Sequence, residues 1–281
     1  MNKSRVVLLT VVALIAFAAN SLLCRLALRE GQIDAASFTT IRLASGALML
    51  FLIVRLQGIS AGGHGSWRSA FALFAYAAAF SFAYLTLPAA VGALLLFGAV
   101  QTTMIGYGLW RGERLGLVQS GGLLLACAGL IVLLLPGLSA PPLGGAALMV
   151  AAGVAWGIYS LRGRGLGNAA ASTAGNFIRS LPFAAVLSLL TLPSAALDVA
   201  GIGYAIASGA IASGLGYAIW YSALPGLRAT SAATVQLSVP VIAALGAALL
   251  LDEWITLRLV LASLSVLGGI ALVILGRRSG R

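Results

Sequence analysis

Apolar residues run through this chain in long blocks, and the polar ones gather in short gaps between them. Some blocks are too long for one helix. Between Arg68 and Arg111 lie 42 residues without an acid or a base, and between Arg114 and Arg162 lie 47. A membrane-crossing helix needs about 20 residues, so each block holds two. Leu87-Pro88 divides the first, and the stretch PGLSAPP, from Pro136 to Pro142, divides the second. Proline lacks the amide donor and clashes with the preceding turn, which makes both natural turning points. The pattern predicts ten helices, at 5–28, 35–55, 67–87, 89–110, 115–135, 143–162, 171–192, 199–222, 229–251 and 256–276.

Composition removes the soluble alternatives. Of 281 residues, 61% are hydrophobic and 8% are charged, where a soluble domain carries about a quarter of its residues charged. Lys3 and Arg5, an apolar run and then Ala16-Phe17-Ala18 have the outline of a secretory signal. The many later spans make this stretch an uncleaved first helix. Cys24 and Cys127 both fall in apolar helices and read as free, buried and inert.

The net charge of +11 raises the question of nucleic acid, and its placement answers it. Lys3, Arg5, Arg55, Arg68, Arg111, Arg114, Arg162, Arg164, Arg228, Arg277, Arg278 and Arg281 share one side of the ten-helix scheme, 12 against Arg25, Arg29 and Arg258 on the other. That bias puts both termini in the cytoplasm of a bacterial-type inner membrane. The basic residues then serve as topology anchors and contacts for anionic lipid heads, with no nucleic-acid partner.

The chain also echoes itself. Tyr84-x-x-Leu87-Pro88 returns as Tyr221-x-x-Leu224-Pro225, 137 residues on. At the same offset Arg25 matches Arg162, Ile41-Arg42 matches Ile178-Arg179, and Phe80 matches Tyr217. After a three-residue slip Glu113 matches Glu253, and AGLIVLLL from Ala128 matches GGIALVIL from Gly268. The expected fold class is therefore an all-α membrane protein of ten transmembrane helices, in two five-helix repeats at 1–140 and 141–281. Five is odd and successive helices alternate direction, so the second repeat is inverted. Inverted repeats characterise alternating-access carriers with a mid-membrane site.

These features carry a family resemblance. The chain resembles the drug/metabolite transporter superfamily, in its ten-helix EamA-like branch, over nearly its whole length. The paired halves carry it, together with Trp156-Gly157 and the following Arg162, Phe177-x-Arg179, Ile41-Arg42, and Leu251-Asp252-Glu253 with its first-half counterpart Arg111-Gly112-Glu113. Where the family has a Trp-Gly-like pair in helix 1, this chain has Ala19-Asn20. The resemblance implies export of small metabolites, often amino acids, through a central cavity lined mainly by helices 1, 3, 4, 6, 8 and 9.

Several residues are candidates for that cavity. Helix 3 carries Tyr76, Phe80 and Tyr84 at spacing four, and helix 8 carries Tyr217 and Tyr221, with Ser213 a step before. Residues four apart share a face. Two aromatic walls suit a planar or cationic guest; the alternative is packing, or interface anchoring for Tyr84 and Tyr221. Trp156 and Tyr159 add a patch on helix 6. Asn20, Gln101 and Gln236 are uncharged polar groups in apolar runs, which need either a cavity or an interhelical partner. Arg42 and Arg179 lie about 10 Å inside their helices, within snorkelling reach of the surface. Pro182 and Pro240 are expected to kink helices 7 and 9, with Pro240 the better hinge.

No acid falls mid-helix: Glu30, Asp34, Glu113, Asp198, Asp252 and Glu253 are all at or near loops. A proton-coupled exporter of organic cations needs such a carboxylate. The small four-helix drug pumps of the same superfamily use one. Zwitterions moved passively or by exchange fit better, amino acids foremost and aromatic ones among them. The alternatives are export of drugs or other metabolites, or a channel-like facilitator. An enzyme is not expected: IASG, Ile211 to Gly214, lacks the first glycine of a serine-protease turn, and the single His64 sits in a loop where it cannot serve as base. The expectation is a monomeric carrier with a small-molecule substrate and lipid neighbours, without catalytic residues, metal or cofactor.

Overall fold

The computed structural model describes residues 2–59, 63–112, 114–135, 140–163, 168–227 and 229–276. Glu113, the first four residues of PGLSAPP, Arg164, Arg228 and the terminal Arg277, Arg278 and Arg281 lie outside them. The described chain is helical: α1 (Lys3–Arg29), α2 (Ala35–Leu56), α3 (Trp67–Ala83), α4 (Ala89–Trp110), α5 (Leu117–Leu134), α6 (Leu143–Arg162) and α7 (Ala169–Leu190). Then follow α8 (Val199–Gly226), α9 in two pieces (Ala229–Gln236 and Val239–Leu250) and α10 (Leu257–Gly276). Among the described residues, nine of these are long and apolar enough to cross a membrane. The tenth, α3, has 17 residues and runs on into a turn before Leu87.

Local chemistry sets the ends. Asp34 caps α2 by accepting from the amides of Ala36 and Ser37 at 3.0 and 2.9 Å. Ser66 caps α3 and Asn168 caps α7 in the same manner. Pro88 and Pro142 stand immediately before α4 and α6, where a missing amide donor costs nothing.

The outer surface is a coat of apolar side chains, Leu117, Leu249 and Leu264 among them. In lipid such a coat gives helices no reason to associate, so close packing of small residues takes over. A methyl group on Gly122 would lie 2.6 Å from the Gly269 carbonyl, and one on Gly129 would lie 2.7 Å from Ser265 Cβ, so α5 and α10 touch backbone to backbone. Gly153 and Gly157 do the same for α6, against Leu96 and Thr103 of α4. The most extensive pairings are α5 with α10, α1 with α8, α2 with α8 and α3 with α6. Each joins a helix from before residue 140 to one from after it.

Two helices depart from regularity. In α8 the segment Ala207–Leu215 is a π-helix. Its glycines let α2 come close: a methyl group on Gly209 would run into the Arg42 carbonyl, and one on Gly214 would lie 2.9 Å from Met49 Cβ. The expected continuous helix at 229–251 is broken after Gln236. Leu237 and Ser238 close tight turns onto Thr234 and Val235, and Pro240 begins the second piece. Pro240 has no amide to offer the Gln236 carbonyl, which explains the break. Pro182 stays within α7. Cys24 is buried as expected, whereas Cys127 is exposed on α5, because its face of that helix turns away from α10.

The α1–α2 and α7–α8 loops are clasped by an isolated bridge between Ile33 and Leu197. The Asp34 amide donates to Ala196, the Asp198 amide donates to Gln32, and the Asp34 carboxylate accepts from the Ala196 amide. Burial pushes the Asp34 carboxyl up, but hydrogen bonds from Ser37, Ala196 and Ala36 outweigh it and hold it below the usual range. The clasp is therefore intact at neutral pH and weakens as pH falls through that lowered value.

The α5–α10 contact gives a stability test. Gly269→Val overpacks it, at about 1–3 kcal/mol. At roughly 2–4 °C per kcal/mol the detergent Tm then falls by several degrees. Gly268→Val, where a side chain meets nothing within 4 Å, leaves Tm unchanged.

Candidate functional site

Tyr76 of α3 is the hub of a buried polar network. Its phenol oxygen accepts from Asn20 Nδ2 at 3.3 Å and from Arg42 Nη2 at 2.9 Å. Asn20 Oδ1 in turn accepts from Ser208 Oγ at 2.5 Å, within the π segment of α8. α1, α2 and α3 thus meet at one phenol, and α8 joins them through Asn20. A π-bulge often marks a functional site because it turns side chains that a regular helix would point elsewhere.

Aromatic rings close around this network. Trp156 of α6 has its ring centre 4.7 Å from Tyr76, 5.2 Å from Tyr159 and 5.5 Å from Tyr217, stacked on the last two. Tyr217 also touches Phe17 of α1 and Phe177 of α7, and Phe80 lies 5.5 Å from Tyr76. The rings pack on one another. Seven of the sequence candidates are thereby brought together: Asn20, Tyr76, Phe80, Trp156, Tyr159, Tyr217 and Tyr221.

Tyr84, Gln101, Gln236 and Pro240 stand apart from the box, and Tyr221 sits at its edge. Tyr221 reaches it by ring stacking on Tyr217 and by a 2.9 Å hydrogen bond with Thr173 of α7. Tyr84 is fully buried and no interface anchor. Its ring lies over Gly92 and its hydroxyl donates to the Ala89 carbonyl, which fixes the α3–α4 turn. Gln101 is buried on α4 and Gln236 is half-buried before the α9 break, and no described hydrogen bond ties either to the box. Pro240 lies beside that break. The network draws on α1, α3, α6 and α8. It adds α2 and α7, and α4 and α9 contribute none of the side chains described in the network.

Arg42 corrects the sequence reading most sharply. It does not snorkel. It is 2% exposed and sits over the Tyr76 and Phe80 rings, with Cζ 5.2 and 4.8 Å from their centres. Arg179, 137 residues on, does reach the edge, donating to the His64 and Gly175 carbonyls. The same dipeptide, Ile-Arg, thus has two fates. The difference is what lies alongside: a loop carbonyl for Arg179, and aromatic faces and a phenol for Arg42.

One end of the bundle is locked above the box. Arg25 of α1 pairs with Glu253 at 3.2 Å and donates to the Tyr84 carbonyl at 2.9 Å. The other Glu253 oxygen accepts from the Ala89 amide at 2.7 Å, and Arg29 donates to the Leu251 carbonyl. The motif Leu251-Asp252-Glu253 has a local reason. Asp252 adopts φ 52°, a left-handed conformation that aspartate tolerates, and this ends α9 and turns Glu253 toward Arg25. A pocket of about 270 Å³ opens beside the lock, lined by Pro88, Pro142, Glu253 and Trp254 among others. A second, of about 420 Å³, opens at the opposite end between Lys3, Ser222 and Pro225.

Apolar spans, a polar and aromatic centre reached by helices from both halves, and an ion-paired seal at one end define a membrane transporter of small molecules. The comparisons agree. The chain belongs to the EamA-like transporter family, whose model matches residues 143–275. It is 60% identical to the uncharacterised protein PA1977 of Pseudomonas aeruginosa over 282 residues, covering all of this chain and 98% of that protein. A protein of solved crystal structure shares the fold over the full length of both chains, with a TM-score of 0.70 at 19% identity.

The lock has a direct readout in Cys24, which is buried next to Arg25. In a Cys127→Ser background, Cys24 of the reconstituted protein resists maleimide. Glu253→Ala raises its labelling rate severalfold, and Glu30→Gln, at an exposed acid, does not.

Proposed function

We propose that this chain is an alternating-access carrier that exports small zwitterionic metabolites, amino acids foremost, with aromatic side chains favoured. The observation that carries the reading is the position of Trp156, packed among Tyr76, Tyr159 and Tyr217 where the Asn20–Tyr76–Arg42 network crosses the bundle. Aromatic faces there suit a planar substrate, and the amide and phenol groups offer hydrogen bonds to its polar end. Tyr84, Tyr221, Gln101 and Gln236 complete the set of substrate contacts in the open states, with Pro240 as the hinge of the broken helix.

Two inverted repeats, 1–140 and 141–281, supply the mechanism. Exchanging each helix for the one five places on turns the α3–α6 pairing into α8–α1, and α4–α6 into α9–α1, and all four pairings occur. In the reading, the Arg25–Glu253 lock is the closed outer gate, and its opening alternates with opening of the opposite end. Both termini lie in the cytoplasm, by the distribution of Lys and Arg. The carrier works as a monomer in a bacterial inner membrane. Its centre lacks a carboxylate among the described residues, which favours exchange or uniport over proton coupling.

Counterflow in liposomes that contain the purified protein tests this. Preloaded unlabelled phenylalanine drives saturable accumulation of labelled phenylalanine without a pH gradient; a channel shows none. Trp156→Ala removes the ring face that takes the substrate, a contact of about 1–3 kcal/mol, which lowers transport roughly 5- to 150-fold at unchanged expression. Equal transport by this variant removes the aromatic box from the mechanism.

A further inference from the structure

The buried centre is short of negative charge and rich in unused donors. Arg42 is sealed from solvent, and its Nη1 has no hydrogen-bond partner. Salt bridges among the described residues involve Arg25 with Glu253 and Arg29 with Glu30, and none reaches Arg42. Tyr76 has spent both lone pairs on Asn20 and Arg42. A phenol also has one proton to donate, and no described group accepts it. Ser213 Oγ, buried in the π segment one turn before Tyr217, is likewise without a partner. A guanidinium held in an apolar bundle is costly unless an anion faces it. The Tyr76 and Phe80 ring faces relieve part of that cost.

The box is lopsided toward its ligand. It offers a cation and free donors for an anionic group, and no carboxylate for an ammonium group. We infer that Arg42 is the substrate-binding residue that recognises a carboxylate, and that this carrier takes aromatic monocarboxylates whether or not they bear an amine. Arg42 Nη1 and the Tyr76 hydroxyl donate to the carboxylate, and the Trp156 and Tyr217 faces take the ring. Organic cations without a carboxylate are repelled. The inference rests on the carrier reading for transport, and it differs from that reading in making the ammonium group dispensable.

The test compares three compounds of one skeleton: phenylalanine, 3-phenylpropionate, which lacks the amine, and phenethylamine, which lacks the carboxylate. Exchange is measured in liposomes holding the full chain, and Tm is measured in detergent with each compound. The wild type exchanges phenylalanine and 3-phenylpropionate at similar rates and phenethylamine at least tenfold more slowly, as loss of charged hydrogen bonds dictates. Arg42→Gln lowers carboxylate exchange at least tenfold and abolishes the preference. Arg42→Lys, which keeps the charge, retains the order of preference at a reduced rate and serves if the glutamine variant does not fold. Wild-type exchange of phenethylamine equal to that of 3-phenylpropionate overturns the inference and leaves the carrier reading standing. So does carboxylate exchange unaffected by Arg42→Gln. If no compound is exchanged, the carrier reading falls and Tm decides. A rise with 3-phenylpropionate that Arg42→Gln or Arg42→Lys weakens sustains the carboxylate site, and no rise in the wild type overturns it.

Discussion

A chain surrounded by lipid must satisfy its polar groups from within, because no solvent will do it. Everything distinctive in this structure follows from that constraint. The apolar coat leaves the polar residues nowhere to go but the bundle axis, and there they find one another. Tyr76 accepts two donors, Asn20 links α1 to the π segment of α8, and Glu253 neutralises Arg25 while capping the free amide of Ala89. Three buried atoms among the described residues are left over: Arg42 Nη1, Ser213 Oγ and Gln32 Oε1. In a bundle that otherwise balances its polar groups closely, two of these three gather at the centre: Arg42 lies against the Tyr76 and Phe80 rings, and Ser213 stands one turn before Tyr217.

The same constraint explains where the helices are irregular. A π segment or a break leaves carbonyls or amides without their usual partners, which lipid forbids and a protein-lined interior allows. In α8 the irregularity lets Ser208 reach Asn20 and lets Gly209 press against α2. In α9 Pro240 forces it, next to Gln236. Glycine contacts, by contrast, hold the peripheral α5–α10 pair rigid through direct backbone approach. Close packing at the flank and irregularity at the centre are thus two answers to the same surroundings.

Much of the fold was legible in the residues. Twenty-residue apolar blocks and well-placed prolines fixed ten helices close to their observed ends, because lipid thickness leaves little freedom in length. The aromatic spacing on α3 and α8 correctly brought Tyr76, Phe80 and Tyr217 to one place, and Trp156 joined them. What was illegible depends on neighbours. Arg42 and Arg179 share a sequence context and the same distance rule, yet only a three-dimensional view shows a loop carbonyl beside one and aromatic rings beside the other. The π segment has no signature in ASGAIASGL beyond its small residues. The Arg25–Glu253 pair was visible only as two halves of the internal echo, 228 residues apart, with nothing to say that they meet.

The central claim is that the box around Tyr76, Trp156 and Arg42 is where substrate sits. The most direct test is an experimental structure of the protein soaked with phenylalanine or 3-phenylpropionate at saturating concentration. The account predicts ligand density against the Trp156 face, with the carboxylate on Arg42 and the Tyr76 hydroxyl. Ligand density confined to the pocket beside Glu253 and Trp254, with the aromatic box still filled by its own side chains, would contradict it.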